Sequence, residues 1–406
     1  MKLFIKYLPI ALIILSYWSI SSMCIVNLRP AATLTLFLYI LMIIGSSVYY
    51  LKNRHKISGD KLIWFYLIWI FINVIRGFFS IRDNNSVILF INHVTGVLCI
   101  TYIPLFANSQ ILATCLRKWH KVCIPFFYIS YVILFASSGI YHWFLPPLMM
   151  TSVFAIILPK YKRIWLLLPL FLIIPLDWET RSQWIRASVV LLFFLSSYFL
   201  WIYSIKIARY VLYSLCLAPF LLLCAAIFGA YNIFQESESQ IKSSTFENAD
   251  TRTFLYSEAI ISSIDNKYYL FGRNLARGHD TKSDWANTIG NNSKMERDND
   301  EMAVTSIYTW MGLIGLILYS AIYIYAIVRI YNKSKNNYLR MFAFYLAFIW
   351  IYLWVETFVA FNIQNITLAM ILALSLSKEY VNMSDSEFKI WYLSIFNSKK
   401  KIRLLH

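Results

Sequence analysis

The chain has 406 residues and a formal charge of +17, with 59% apolar residues against 14% charged. So little charge excludes an ordinary soluble enzyme of this length and predicts an integral membrane protein. The basic excess follows membrane topology, because cytoplasmic loops collect Lys and Arg, and it is no nucleic-acid footprint.

Taken in order, apolar runs long enough to cross a bilayer predict about 12 helices, over 4–25, 31–51, 62–80, 87–107, 121–139, 142–159, 164–178, 184–204, 209–231, 305–330, 339–360 and 362–377. The run over 164–178 is short and that over 142–159 carries Pro146-Pro147, so merging or re-entry are alternatives there. The N-terminal run has a basic start but no small-residue cleavage site, and reads as a first span. The expected fold class is all-α, a polytopic transmembrane helical bundle. Cys24, Cys99, Cys115, Cys123, Cys216 and Cys224 lie in or beside apolar runs and offer no disulfide framework or zinc pattern.

Lys and Arg concentrate in alternate segments: the N-terminus, KNRHKISGDK, LRKWHK, PKYKR, SIKIAR, VRIYNKSKNNYLR and the C-terminal tail. The intervening short loops and span ends hold only Arg29, Arg76, Arg82, Arg181 and Arg186. The positive-inside rule then places both termini in the cytoplasm and the long polar segment over 231–302 outside it. The expected organisation is nine spans over 1–231, an extracytoplasmic loop over 232–304, three spans over 305–377, and a basic tail over 378–406. That tail mixes aromatics with a basic cluster, and either lies on the anionic inner leaflet or is a disordered end.

The residues that suggest chemistry gather around the loop. LDWETRSQWIRASVV opens the eighth span with Arg181 and Arg186. A cation at a helix N-terminus opposes the macrodipole, so helix stability does not explain it, whereas an anion bound there would. Pairing of Arg181 with Asp177, or interfacial anchoring by Trp178 and Trp184, is the simpler alternative. Within the loop, NADTRTFLYSEAIISSI has helical apolar spacing and Arg252 in its first turn. YYLFGRNLARG follows with Arg273 and Arg277, then MERDNDEM with Asp298, Asp300 and Glu301. Crowded carboxylates raise one another's pKa, and one could serve as a general base, although a solvated acidic loop end has the same composition. Gly312 and Gly315 are spaced for close helix contact. Arg76 on the third span and Glu356 on the eleventh are intramembrane polar candidates, the arginine snorkelling outward or pairing with the glutamate. His93, His142 and His279 lack metal-ligand spacing.

Together these features resemble the O-antigen polymerase and ligase superfamily, membrane glycosyltransferases of the GT-C type. T-R-S at Thr180–Ser182 resembles the family's arginine segment. D-T-R-T-F-L-Y with a following L-F-G resembles its D-x-R-x-x-x-(Y/W) and L-x-G pair, and R-D-N-D-E-M before M-G-L-I-G-L resembles its loop-end signature. The ligases carry a histidine just before the loop-end acid; here Asp298, Asn299 or Asp300 stands there and the nearest histidine is His279, which favours a repeat-unit polymerase. The resemblance implies a bacterial inner-membrane enzyme of surface polysaccharide synthesis that takes a saccharide from polyprenyl diphosphate to the hydroxyl of an acceptor saccharide. It implies no metal or nucleotide cofactor, and a chain-length regulator and a flippase as partners. Arg181 and Arg252 would hold the diphosphate, Asp300 would take the acceptor proton, and Arg186, Arg273, Arg76, Asp298 and Glu301 would bind substrate. A ligase, or a transporter of lipid-linked oligosaccharide, are the competing readings.

Overall fold

The computed structural model describes residues 1–24, 29–133, 145–176, 181–227, 251–281, 296–297, 300–357 and 359–397. Among these the chain is almost wholly helical: α1 (Lys2–Cys24), α2 (Arg29–Asn53), α3 (Asp60–Phe78), α4 (Asn84–Val97), α5 (Ile103–Phe106), α6 (Ser109–Ile133), α7 (Pro146–Ser152), α8 (Lys160–Leu176), α9 (Arg181–Ser196), α10 (Lys206–Ile227), α11 (Thr251–Asp265), α12 (Ala303–Lys333), α13 (Asn337–Tyr352), α14 (Ile363–Leu376), α15 (Lys378–Asn382) and α16 (Asp385–Phe396). The described strands are the two-residue β1 (His279–Asp280) and β2 (Glu296–Arg297), paired antiparallel. Among the described residues, six stretches are long and apolar enough to cross a membrane: Leu36–Lys56, Asp60–Phe78, Ser86–Phe106, Ser182–Ser204, Lys206–Cys224 and Ala303–Lys333. The chain is therefore an all-α membrane protein.

Two of the expected spans differ from the helices described. Among its described residues the run over 142–159 holds the short α7 and a 3-10 turn over Ala155–Ile157; α7 is begun by the proline pair at its first positions and buried along its whole length. Its apolarity is that of a core segment rather than a lipid-facing one. The helix expected over 121–139 instead starts at Ser109, so LRKWHK lies inside α6. There Leu112, Leu116 and Trp119 face the core while Lys121 is exposed, an amphipathic stripe that a hydropathy window averages away.

α14 sits at the centre, with every residue but Asn365 buried, which is why it can be apolar all round at only 14 residues. α12 packs against α13 and α3, and α13 against α10. At the end of the bundle that carries the lysines, Ile57 bridges to Ser377, and the Ser377 hydroxyl donates to the Ala107 carbonyl at 2.9 Å. The segment expected as a tail folds here as well. Ser384 and Glu387 form a reciprocal N-cap for α16, whose Phe388, Trp391, Tyr392 and Ile395 form one buried stripe, and the helix packs against α6. The opposite end of the bundle carries α11, the two short strands and the start of α12.

α12 is broken. Gly312 has φ 67° and ψ −169°, a conformation open essentially to glycine alone. The break frees main-chain groups that the segment after α11 takes up: Leu313 N–H donates to Tyr269 O at 2.9 Å, Ile314 N–H to Leu270 O at 3.3 Å, and Arg273 N–H to Thr309 O at 2.7 Å. Gly312 thus serves loop docking rather than the helix contact that its spacing with Gly315 suggested.

Candidate functional site

The amphipathic spacing of α11 buries Leu255, Ala259, Ser262 and Ser263, and Glu258 lies on this same buried stripe. Opposite it, β1 and β2 register His279 with Arg297 and Asp280 with Glu296. Asp300 stands just before the first turn of α12. Three separate stretches thereby bring one imidazole between two carboxylates. His279 Nδ1 lies 3.3 Å from Asp300 Oδ1, and His279 Nε2 lies 3.7 Å from Glu258 Oε2. The three side chains are 1%, 2% and 8% exposed for His279, Asp300 and Glu258. Thr281 Oγ1 donates to Glu258 Oε1 at 2.7 Å, and Arg297 Nε lies 3.9 Å from Glu258 Oε2.

Neither ring nitrogen reaches hydrogen-bond geometry with its carboxylate. Buried polar atoms are rarely left so, and catalytic contacts are often long before substrate tightens them. The carboxylates also face opposite nitrogens. One nitrogen and both acids therefore do not converge on a point, and no group of three such ligands among the described residues could hold a metal ion.

Burial is the largest influence on the Asp300 carboxyl and pushes it up; His279, the Thr305 hydrogen bond and Arg297 pull it down by less, and Glu258 adds a final upward push. Glu296 is bonded to Arg277 and lies 3.3 Å from Arg273, Asp300 points inward, and Glu301 is exposed. Asp298 lies outside the described residues.

The other expected arginines divide. Arg76 donates to Asn73 Oδ1 at 2.8 Å and to the carbonyls of Phe271 at 2.6 Å and Gly272 at 2.8 Å. It neither snorkels free nor turns to Glu356, but pins the loop to α3. Arg273 is bound to Asp280 at 2.6 Å, to Glu296 and to Gly278 O, and it stacks near Tyr268. Both are structural ties rather than free anion-binding groups. Arg186, on α9, is 4% exposed, with its guanidinium 5.4 Å from the ring centre of Tyr352. The side chains of Arg181, the first residue of α9, and of Arg252, in the first turn of α11, lie outside the described residues.

Arg186 and Asp300 flank the same end of α13. Tyr352 hydroxyl donates to Ser182 O at 3.4 Å on the α9 side. On the other side, Tyr256 hydroxyl donates to Trp354 O at 2.6 Å. Burial and then the Asp300 carboxylate push the Tyr256 hydroxyl up. The arrangement can accept a proton at a buried carboxylate and hold negative charge at a buried guanidinium.

Glu258, His279 and Arg297 were not among the residues singled out from the sequence. A carboxylate on the apolar stripe of α11 was the available signal for Glu258. His279 was weighed against metal spacing and as the histidine nearest the loop-end acids, and its meeting with Asp300 depends on a strand pairing that no local pattern carries. Comparison with protein-family models, curated proteins and solved structures finds no match to this chain.

Proposed function

We propose that the chain is a repeat-unit polymerase of a surface polysaccharide: a multi-span glycosyltransferase at the outer face of a bacterial inner membrane, with its 231–302 segment outside the cytoplasm. The donor is a saccharide on polyprenyl diphosphate. An acceptor hydroxyl oxygen attacks the anomeric carbon, and the carbon–oxygen bond to the diphosphate breaks. The diphosphate departs with the electron pair, and the hydroxyl proton passes to a base of the protein.

The observation that supports this most is the buried Asp300–His279–Glu258 set beside the loop. A carboxylate raised by burial and backed by an imidazole suits proton abstraction better than a solvated one. Cations for the departing diphosphate are assigned to Arg181 and Arg252, both near helix N-termini, with Arg186 lining the same end. The test is the purified chain in vesicles given a synthetic lipid-linked repeat. A ladder of products that Asp300→Asn abolishes is expected; an undiminished ladder from that variant overturns the assignment.

One observation favours a second reading. His279 brings next to Asp300, in space, the histidine that the ligases carry beside their loop-end acid in sequence. A ligase would leave finished polymer on the lipid carrier when deleted, whereas a polymerase deletion leaves single repeat units on the final acceptor. Lipid-carrier analysis of a deletion strain separates them.

A further inference from the structure

Three tyrosines from two helices line one cavity inside the bundle. Tyr66 comes from α3, while Tyr319 and Tyr323, about one helical turn apart, come from α12 beyond its break. Apolar side chains such as Ile100, Ile307 and Leu368 complete the wall, and all the lining residues but Asn365 are buried.

The three hydroxyls do not satisfy one another. Each carries one hydrogen to donate and two acceptor positions. Tyr319 and Tyr323 share a hydrogen bond, with 3.3 Å between their oxygens. That bond uses the hydrogen of one partner and leaves the hydrogen of the other to be placed. Tyr66 is 1% exposed, and its hydroxyl has no partner among the described residues, although its ring centre lies 6.0 Å from that of Tyr319. Two O–H donors therefore line the same cavity without an acceptor from the protein. Buried hydroxyls are nearly always paired, and hydrocarbon around a membrane bundle offers no acceptor.

The size of the cavity decides what pairs them. It offers about 30 Å³ to the centres of water-sized molecules. One water needs about 10–15 Å³ of such space, so about two fit, and a sugar or an acyl chain does not. A cavity walled by aliphatic groups alone stays dry, whereas one with convergent hydroxyls gives a water its partners.

We infer that Tyr66, Tyr319 and Tyr323 form an internal hydration site, in which one water accepts from Tyr66 and from the spare hydroxyl of the α12 pair. At this depth α3 is thereby fastened through water to the half of α12 beyond Gly312. The inference stands apart from the proposed enzymatic activity and from the residues assigned to it.

The test is X-ray radiolysis of the purified full chain in detergent, with oxidised tyrosines located by mass spectrometry. A bound water that is split beside a side chain labels it even where bulk solvent is excluded. Tyr380 and Tyr392 are the dry references, both 0% exposed, with hydroxyls that donate to Phe106 O at 3.4 Å and Thr151 O at 2.7 Å. Tyr66 is expected to label several-fold faster than either reference; equal or slower labelling overturns the inference. Tyr66→Phe gives a second measurement, because it keeps the ring and removes only the hydroxyl. Its melting temperature is expected to fall, since the water loses a partner. A melting temperature that stays the same or rises shows that the hydroxyl had no partner to lose, and overturns the inference as well.

Discussion

Gly272 and Gly312 meet main chain to main chain. Both hold a left-handed φ, 74° and 67°. A Cβ on Gly272 would fall 2.4 Å from the Gly312 nitrogen, and one on Gly312 would fall 2.3 Å from the Leu270 carbonyl oxygen. Neither obstacle is a flexible side chain, so neither can give way. This contact seats the Tyr268–Gly272 segment, a strap across α12, in the break of that helix.

Gly272→Ala and Gly312→Ala are each expected to destabilise the chain by about 2 kcal/mol or more, from backbone strain plus the clash. Thermal unfolding in detergent reads the loss. A melting temperature unchanged in either variant would show that the strap does not depend on the break.

Asp300→Asn should separate activity from stability. Burial holds the Asp300 carboxyl above its ordinary range, so the folded chain keeps its proton to higher pH than the unfolded chain does. The stabilising contribution of that proton is present at low pH and is lost as pH rises through the raised value. At neutral pH the charged carboxylate is therefore a net burden that Asn lacks. The variant is expected to melt at or above the wild-type temperature at pH 7, while polymerisation falls about 10²- to 10⁴-fold, the usual loss for a removed base. In the wild type, activity should fall with acid at a higher pH than an ordinary carboxylate would give.

Arg273→Ala should act in the opposite way, on stability first. Burial alone would raise the Asp280 carboxyl, but Arg273, Asn266 and Arg277 together outweigh it and hold it below the ordinary range. Stability from that pairing is present above the ordinary carboxylate value and is lost as pH falls through the depressed one. The variant is expected to lose about 1 kcal/mol at pH 7, because the half-exposed Asp280 keeps Asn266 and Glu296 keeps Arg277 as donors, and to show a shallower further loss in acid. Melting curves from pH 3 to pH 7 check both features.

Arg181→Ala and Arg252→Ala should abolish long polysaccharide chains in cells with little change in the melting temperature. Arg76→Ala should do the reverse and lower the melting temperature, because the carbonyls of Phe271 and Gly272 lose their donors. Chain-length analysis beside melting data distinguishes the two classes of arginine.

The sequence alone determined that this is a helical membrane protein, and that a polar segment with a helix near Thr251–Asp265 interrupts it. Both follow from periodicity and apolar length, which are local properties of a chain in contact with lipid or core. It did not distinguish a lipid-facing run from a buried one, as α7 and α14 show, since both environments reward the same residues. Only the tertiary structure decided which polar groups meet. Arg76 and Arg273 looked like substrate ligands until their donors were found on the loop's own carbonyls and carboxylates. Glu258, His279 and Asp300 come together through a helix stripe, a two-residue strand pairing and a helix start, and contacts between residues so far apart along the chain leave no periodic trace in it.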